Sequence, residues 1–258
     1  MRPSLGPPGP PRARTRRSRQ SSVRRCPAPA GLTAGRVLAV ESRDVDVILP
    51  CRDEAAALPR ALRGLPQGWR PIVVDNGSRD GTAEVARRLG ALVVSEPVPG
   101  YGAAVHAGLL AASRRWVATM DADGSMEGSD LARVAAAVLA GRADIGVGRR
   151  VPVHGRAWPW HARAGTALTA ARLRRRGAPV HDIAPMRFAA RETLLALGVA
   201  DRRMGYPVEL LRRAAEQGLR FSEVHIAYGP RASGTRSKVS GSLRGSVLAA
   251  VDFTAALR

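Results

Sequence analysis

Between Val45 and Leu49 every position but one is apolar (Val45-Asp46-Val47-Ile48-Leu49), and the run ends at Pro50. A short, β-branched run of this kind predicts a strand covered on both faces. Residues 72–74, 91–94, 116–120 and 145–147 repeat the signature. Between them the apolar period lengthens from two to about 3.6 residues, the helical repeat. Helices are predicted over 54–65, with Pro59 inside or at a bend, over 82–89 and over 103–112. In the second, Thr82 can cap, Glu84 lies in the first turn and Gly90 follows the end. Leu131, Val134, Val138 and Leu139 mark the apolar face of a fourth helix. Strands alternating with helices at this rhythm predict an α/β fold with a mostly parallel central sheet flanked by helices.

The pattern changes at both ends. Residues 1–43 are rich in Pro, Arg and Ser and lack periodicity, so they are expected to form a disordered tail. After Arg150 the rhythm loosens. Residues 186–190 read as one more strand, 207–216 as a helix with proline in its first turn, and 219–228 as a final strand of alternating polarity. The division is a tail (1–43) and one domain (44–258), whose halves are 44–150 and 151–258.

Composition adds charge. Of 258 residues, 41 are basic and 21 acidic, for a formal net charge of +20, and Lys238 is the single lysine. A basic surface attracts nucleotides, lipid head groups or nucleic acid. A nucleic-acid-binding protein is therefore one alternative, although no DNA- or RNA-binding motif accompanies the charge. The two cysteines, Cys26 and Cys51, predict no structural disulfide and suit a cytoplasmic protein. No run approaches the ~18 apolar residues that read as a membrane span.

The chemistry gathers at strand ends. The strand 116–120 runs directly into Asp121-Ala122-Asp123-Gly124, and the strand 72–74 into Asp75-Asn76-Gly77-Ser78. In an open α/β sheet ligands bind beyond the carboxyl ends of strands. Two aspartates spaced by two suit a hard divalent cation carrying a phosphate. Turn chemistry would use the same residues, but an EF-hand fails on spacing, since Met126 stands where its glycine belongs. Two such strand ends point to a nucleoside-diphosphate site and to an enzyme. Walker A and nucleophile-elbow motifs are missing. Gly100-Tyr101-Gly102 begins a dinucleotide fingerprint, but Val105 holds its third glycine position, which leaves an NAD(P)-dependent Rossmann enzyme as a second alternative.

The ordered set of motifs resembles family 2 glycosyltransferases of the GT-A fold, the nucleotide-diphospho-sugar transferase fold, and in particular the dolichol- or polyprenol-phosphate sugar synthase branch. Leu49-Pro50-Cys51-Arg52-Asp53-Glu54 resembles that family's opening turn, and Asp75-Asn76-Gly77-Ser78 its nucleoside-binding segment. Gly100-Tyr101-Gly102 resembles its glycine-rich step, Asp121-Ala122-Asp123 its metal signature, and Gly148-Arg149-Arg150 its Gly-Ser-Arg. Arg231-Ala232-Ser233-Gly234-Thr235-Arg236-Ser237-Lys238 resembles its Arg-x-x-Gly-x-Ser-Lys. Pro99 stands where the family often has a basic residue, and Arg149 where it has serine.

The resemblance implies an inverting, metal-assisted transfer from a sugar nucleotide of the UDP-glucose or GDP-mannose class. Pro50, Glu54 and Asp75 would hold the nucleoside, and Gly100 and Gly102 would form the glycine-rich step. Asp121 and Asp123 would carry Mg²⁺ or Mn²⁺. Arg150, Arg231 and Lys238 would add positive charge at the phosphates. A hydroxyl acceptor needs a base, for which Asp182 and Glu209 are the candidates; a polyprenyl phosphate needs none. Trp158, Trp160, the arginines at 172 and 174–176 and the apolar stretch 247–257 suggest peripheral contact with the inner, anionic face of a membrane.

A chain beginning near Glu41 is expected to fold with the melting temperature of the full chain, because the tail carries no core-forming pattern. A fall of several degrees on truncation, followed by circular dichroism, would show that the tail packs on the domain.

Overall fold

The computed structural model describes residues 44–154, 157–232 and 251–257. Seven strands form one sheet: β1 (Val45–Cys51), β2 (Arg70–Asp75), β3 (Leu92–Ser95), β4 (Trp116–Thr119), β5 (Ile145–Pro152), β6 (Arg187–Ala190) and β7 (Phe221–Tyr228). Their order is β3-β2-β1-β4-β6-β5-β7. Six run parallel, and β6 lies antiparallel between β4 and β5. The helices are α1 (Leu58–Arg63), α2 (Thr82–Arg88), α3 (Tyr101–Ala111), α4 (Asp130–Leu139), α5 (Trp160–Arg175), α6 (Arg191–Ala196) and α7 (Tyr206–Glu216). A short helix, α8, follows at 251–256.

Both faces of the sheet are covered, which is why its central strands are apolar without alternation. Val45, Val47 and Leu49 of β1, with Trp116 and Ala118 of β4, belong to one apolar cluster with α1 and α4. Ile48 and Val117 point the other way, into a cluster with α3, α5 and α7.

The polar exception in β1, Asp46, is fully buried. Arg70 clasps it from β2 with Nε to Oδ1 at 2.7 Å and Nη2 to Oδ2 at 2.8 Å. The backbone N–H groups of Ser113 and Arg114 donate to the same Oδ2. Asp46 therefore ties β1, β2 and the entry to β4 together. Burial alone would raise its pKa, but the Arg70 hydrogen bonds and the two backbone donors outweigh that and hold it below the usual carboxylate range.

Several elements depart from the sequence expectation. The first helix is only Leu58–Arg63, with proline in its first turn and residues 54–57 in turns before it. Helix α5 was not foreseen: its buried face is Thr166, Thr169, Ala170 and Leu173, so no strong apolar stripe marks it. Of the apolar stretch 247–257, Ala256 and Leu257 are buried in the second cluster while Val251 is exposed, and residues 247–250 lie outside the described residues. Among the described residues no helix is long and apolar enough to cross a membrane. Residues 1–43, expected as a tail, lie outside the described residues.

Asp46→Asn is expected to lower stability by about 2–3 kcal/mol, because it weakens a buried, hydrogen-bonded pair whose partner is partly solvated. The folded pKa of Asp46 is depressed, so its contribution is complete above the unfolded value of about 3.9 and is lost as pH falls through the folded pKa. Urea titrations of both proteins should therefore show a constant stability gap from pH 7 to about 5 that closes in more acidic solution.

Candidate active site

The parallel strands β1, β2 and β4 all end at one edge of the sheet, and a cavity of about 520 Å³ opens there. Pro50 near the end of β1, Glu54 beyond it, Asn76 beyond β2 and Asp121 and Asp123 beyond β4 line it. A second cavity, of about 410 Å³, lies beside the first and carries Arg150, Arg187 and the α5 residues Thr166 and Leu168. Tyr101, Asp121, Met204 and Arg231 line both. The two cavities thus meet at one carboxylate and one arginine.

Asp123 is nearly fully buried and committed: Ser125 N–H donates to its Oδ1 at 2.9 Å, and Arg231 Nη1 pairs with its Oδ2 at 2.9 Å. Asp121 is half-buried. Burial and the neighbouring Asp123 charge raise its pKa, against the opposing pull of Arg231, Arg150 and Arg187. Two crowded carboxylates at a strand end are a chemical fit for a divalent cation, which would relieve their repulsion. No group of three or more His, Cys, Asp and Glu side chains gathers among the described residues, so the remaining oxygens would have to come from ligand and water.

The glycines of Gly100-Tyr101-Gly102 have a packing reason. A Cβ on Gly100, whose φ is +154°, would stand 2.1 Å from the Arg202 carbonyl oxygen. One on Gly102 would meet the Asp201 carbonyl oxygen and Tyr206 Cβ at 2.8 Å. The N–H groups of Gly102 and Ala103 donate to the carbonyls of Arg203 and Arg202. The first turn of α3 is thus closed by the 201–203 loop, and this accounts for a dinucleotide fingerprint that stops after two glycines. Gly100 lines the first cavity; Gly102 does not. Asp75 also stands back from it, accepting the Ser78 N–H at 3.0 Å. Its neighbour Asn76 does line the cavity, and braces the loop before α3 by bonding the carbonyls of Glu96 and Val98 and the N–H of Gly100.

The two candidate bases are both held by partners. Asp182 accepts from Arg150 Nε (2.8 Å), Nη2 (2.7 Å) and N–H (2.9 Å), and from Ile183 N–H (2.7 Å). Burial pushes its pKa up, but the Arg150 charge and these hydrogen bonds bring it below the ordinary value. Glu209 accepts the N–H groups of Ala200 and Asp201 and pairs with Arg213 Nε at 2.6 Å, which likewise outweighs burial and lowers its pKa. Neither lines either of these two cavities. A stabilised carboxylate away from the cavity is a poor base; these two are fasteners, one for Arg150 and one for the loop before α7.

Arg150 is further fixed by stacking, 4.0 Å from the Trp158 ring centre and 5.4 Å from that of Tyr228. Trp158 is therefore a core residue, while Trp160 at the start of α5 is 80% exposed. Lys238 lies outside the described residues. From the sequence, Tyr101 was legible only as a member of the glycine-rich step and Arg187 only as the end of a segment, 181–187, that resembles the family's acceptor-side loop; Met204 and Asp252 were not legible at all. Asp252 reaches the first cavity from α8, where it accepts the Met204 N–H and pairs with Arg203. Nothing local in the sequence marks these long-range meetings, although an arginine opening an otherwise apolar strand was a signal for Arg187.

The model of glycosyl transferase family 2 matches residues 46–196. An uncharacterised glycosyltransferase of Mycobacterium tuberculosis is 58% identical over 210 residues, covering 81% of this chain and 95% of that protein. A polyprenol monophosphomannose synthase of Mycolicibacterium smegmatis is 37% identical over 220 residues, covering 76% and 81%. Among solved structures, the glucosyl-3-phosphoglycerate synthase of Mycobacterium tuberculosis, in complex with Mn²⁺, UDP and glucosyl-3-phosphoglycerate, superposes with a TM-score of 0.67 at 23% identity, covering 90% of this chain and 85% of that one. That likeness establishes a shared fold.

The two aspartates are expected to differ in stability. Asp123→Ala should cost about 1–3 kcal/mol, since it strands Arg231 and the Ser125 N–H. Asp121→Asn should leave stability unchanged or raise it by about 1 kcal/mol, since it removes a crowded charge. Thermal melts of the two variants check the contrast.

Proposed function

Because the chain belongs to glycosyl transferase family 2, we propose that this glycosyltransferase moves a hexose from a nucleoside-diphosphate sugar of the UDP-glucose or GDP-mannose class to a polyprenyl phosphate. The first cavity takes the sugar nucleotide, the second the acceptor, and the anomeric carbon lies where they meet, beside Asp121. The observation that carries the choice of acceptor is the lining of the second cavity. Its carboxylate and imidazole side chains are Asp121 and His161, the latter exposed at the first turn of α5. A hydroxyl acceptor would need a base, and Asp182 and Glu209 are occupied elsewhere. A phosphate monoester is already a nucleophile.

In this reading a phosphate oxygen of the acceptor attacks the anomeric carbon from the face opposite the nucleotide. The bond from that carbon to the diphosphate breaks, its electron pair stays on the diphosphate, and the configuration inverts. A divalent cation, Mg²⁺ or Mn²⁺, held by Asp121 and Asp123 would supply Lewis-acid stabilisation of the departing charge. Arg231, shared by both cavities, adds positive charge there, and Arg150 is held toward the acceptor side by Asp182. The M. smegmatis relative, named for a polyprenol-linked product, supports the acceptor class, and the solved neighbour's Mn²⁺ and UDP support the donor and metal. The apolar walls, including Leu168, Phe253 and Leu257, suit a prenyl chain. Exposed Trp160 and the exposed arginines of α5 suit an anionic bilayer surface.

The test is transfer of labelled glucose or mannose from UDP-glucose or GDP-mannose, with Mn²⁺, to a short polyprenyl phosphate, the matching polyprenol and 3-phosphoglycerate. The phosphate lipid is expected to be glycosylated, the alcohol not, and EDTA to stop the reaction. Transfer to the hydroxyl of 3-phosphoglycerate, with none to the lipid phosphate, would replace this acceptor.

A further inference from the structure

Four arginines reach the second cavity, and three have their charge accounted for. Arg150 is clasped by Asp182, Arg231 pairs with Asp123, and Arg172 is exposed to water. Arg187 differs. It is 1% exposed, the largest of the fully buried side chains. Its Nη2 donates to the Ile183 carbonyl at 3.1 Å and the Tyr101 phenol oxygen lies beside the guanidinium, while Nε and Nη1 are buried without a well-aligned acceptor among the described residues. Asp121 feels its charge through space without pairing with it.

Topology explains how a guanidinium comes to this place. Strand β6 runs against β4 and β5, so its first residue arrives opposite the last residue of β4, beside β5, which continues past it. Arg187 sits opposite Thr119 of β4 and Val147 of β5. A buried cation with two idle donors is costly to keep, and folds retain such groups where a ligand completes them.

We propose that Arg187 is the principal anion contact of the second cavity, a buried subsite for the phosphate monoester of the acceptor. This rests on the acceptor reading above and adds to it the residue that selects an anionic head over an alcohol. Selection follows from the chemistry: an alcohol leaves both donors unmatched, whereas a phosphate oxygen accepts from a charged donor. Two sources carry that head group, a lipid-linked phosphate and a small soluble phosphoester.

The experiment measures binding of farnesyl phosphate, farnesol and 3-phosphoglycerate by titration calorimetry to wild type, Arg187→Met and Arg187→Lys, with UDP and Mn²⁺ as an independent readout of the first cavity. Arg187→Met is expected to weaken the phosphate ligand that binds wild type by about tenfold or more, while UDP affinity stays within about twofold, because a charged hydrogen bond is lost in one cavity only. Arg187→Lys, which keeps the charge, should fall between. The melting temperature of Arg187→Met should hold or rise, since a buried charge is removed and the groups it releases are one carbonyl and the Tyr101 phenol. Equal phosphate-ligand affinity in wild type and Arg187→Met, or a drop of several degrees in its melting temperature, would overturn the proposal. Binding of 3-phosphoglycerate that depends on Arg187, with no binding of farnesyl phosphate, would keep the subsite and remove the polyprenyl reading.

Discussion

The approach of α3 to the 201–203 loop, with no side chain between them at Gly100 and Gly102, is the contact on which the site depends. It brings chain from the second half of the protein against the strand ends of the first. Once the loop is seated, Met204 stands between the two cavities and Tyr101 faces both. Glu209 and Asp252 hold the loop from α7 and α8 through its backbone N–H groups. A methyl group at either glycine would collide with a backbone carbonyl, which cannot swing aside as a side-chain end could.

Charge is divided across the junction. The first cavity gathers Glu54, Asp121, Asp123 and Asp252 against Arg52, Arg203 and Arg231. The second gathers Arg150, Arg172, Arg187 and Arg231 against Asp121 alone among its carboxylates. Acidic groups on one side suit a cation; basic groups on the other suit an anion. Burial sharpens both preferences, as in the Tyr101 phenol, raised to about 12 by desolvation and by the Asp121 charge despite Arg187 nearby. In the reaction proposed above, this division would distinguish the two ligands electrostatically before any shape is considered.

The overall net charge of the chain gave little of this away. Many of the described arginines serve structure or solvent, as Arg70 does for Asp46, Arg213 for Glu209 and Arg220 for Asp144. A count cannot separate these from Arg187, which no carboxylate of the described residues clasps. The same blindness explains the two carboxylates chosen as bases: Asp182 and Glu209 stand among apolar residues, and only their partners show that each is already committed.

The strands, their parallel sense, the aspartates beyond β4 and the turn beyond β2 were legible because each is written in a few consecutive residues. Local periodicity decides which segments bury two faces, and spacing along one strand decides which side chains leave its end together. What tertiary structure alone decided is pairing across long separations. It set β6 backwards between β4 and β5, folded the Thr-faced α5 into the wall of the second cavity, gave the glycines of α3 a loop to meet, and matched Asp182 to Arg150. Those outcomes rest on contacts between residues tens of positions apart, whose energies depend on complementary shape and charge after folding and leave no period in the chain.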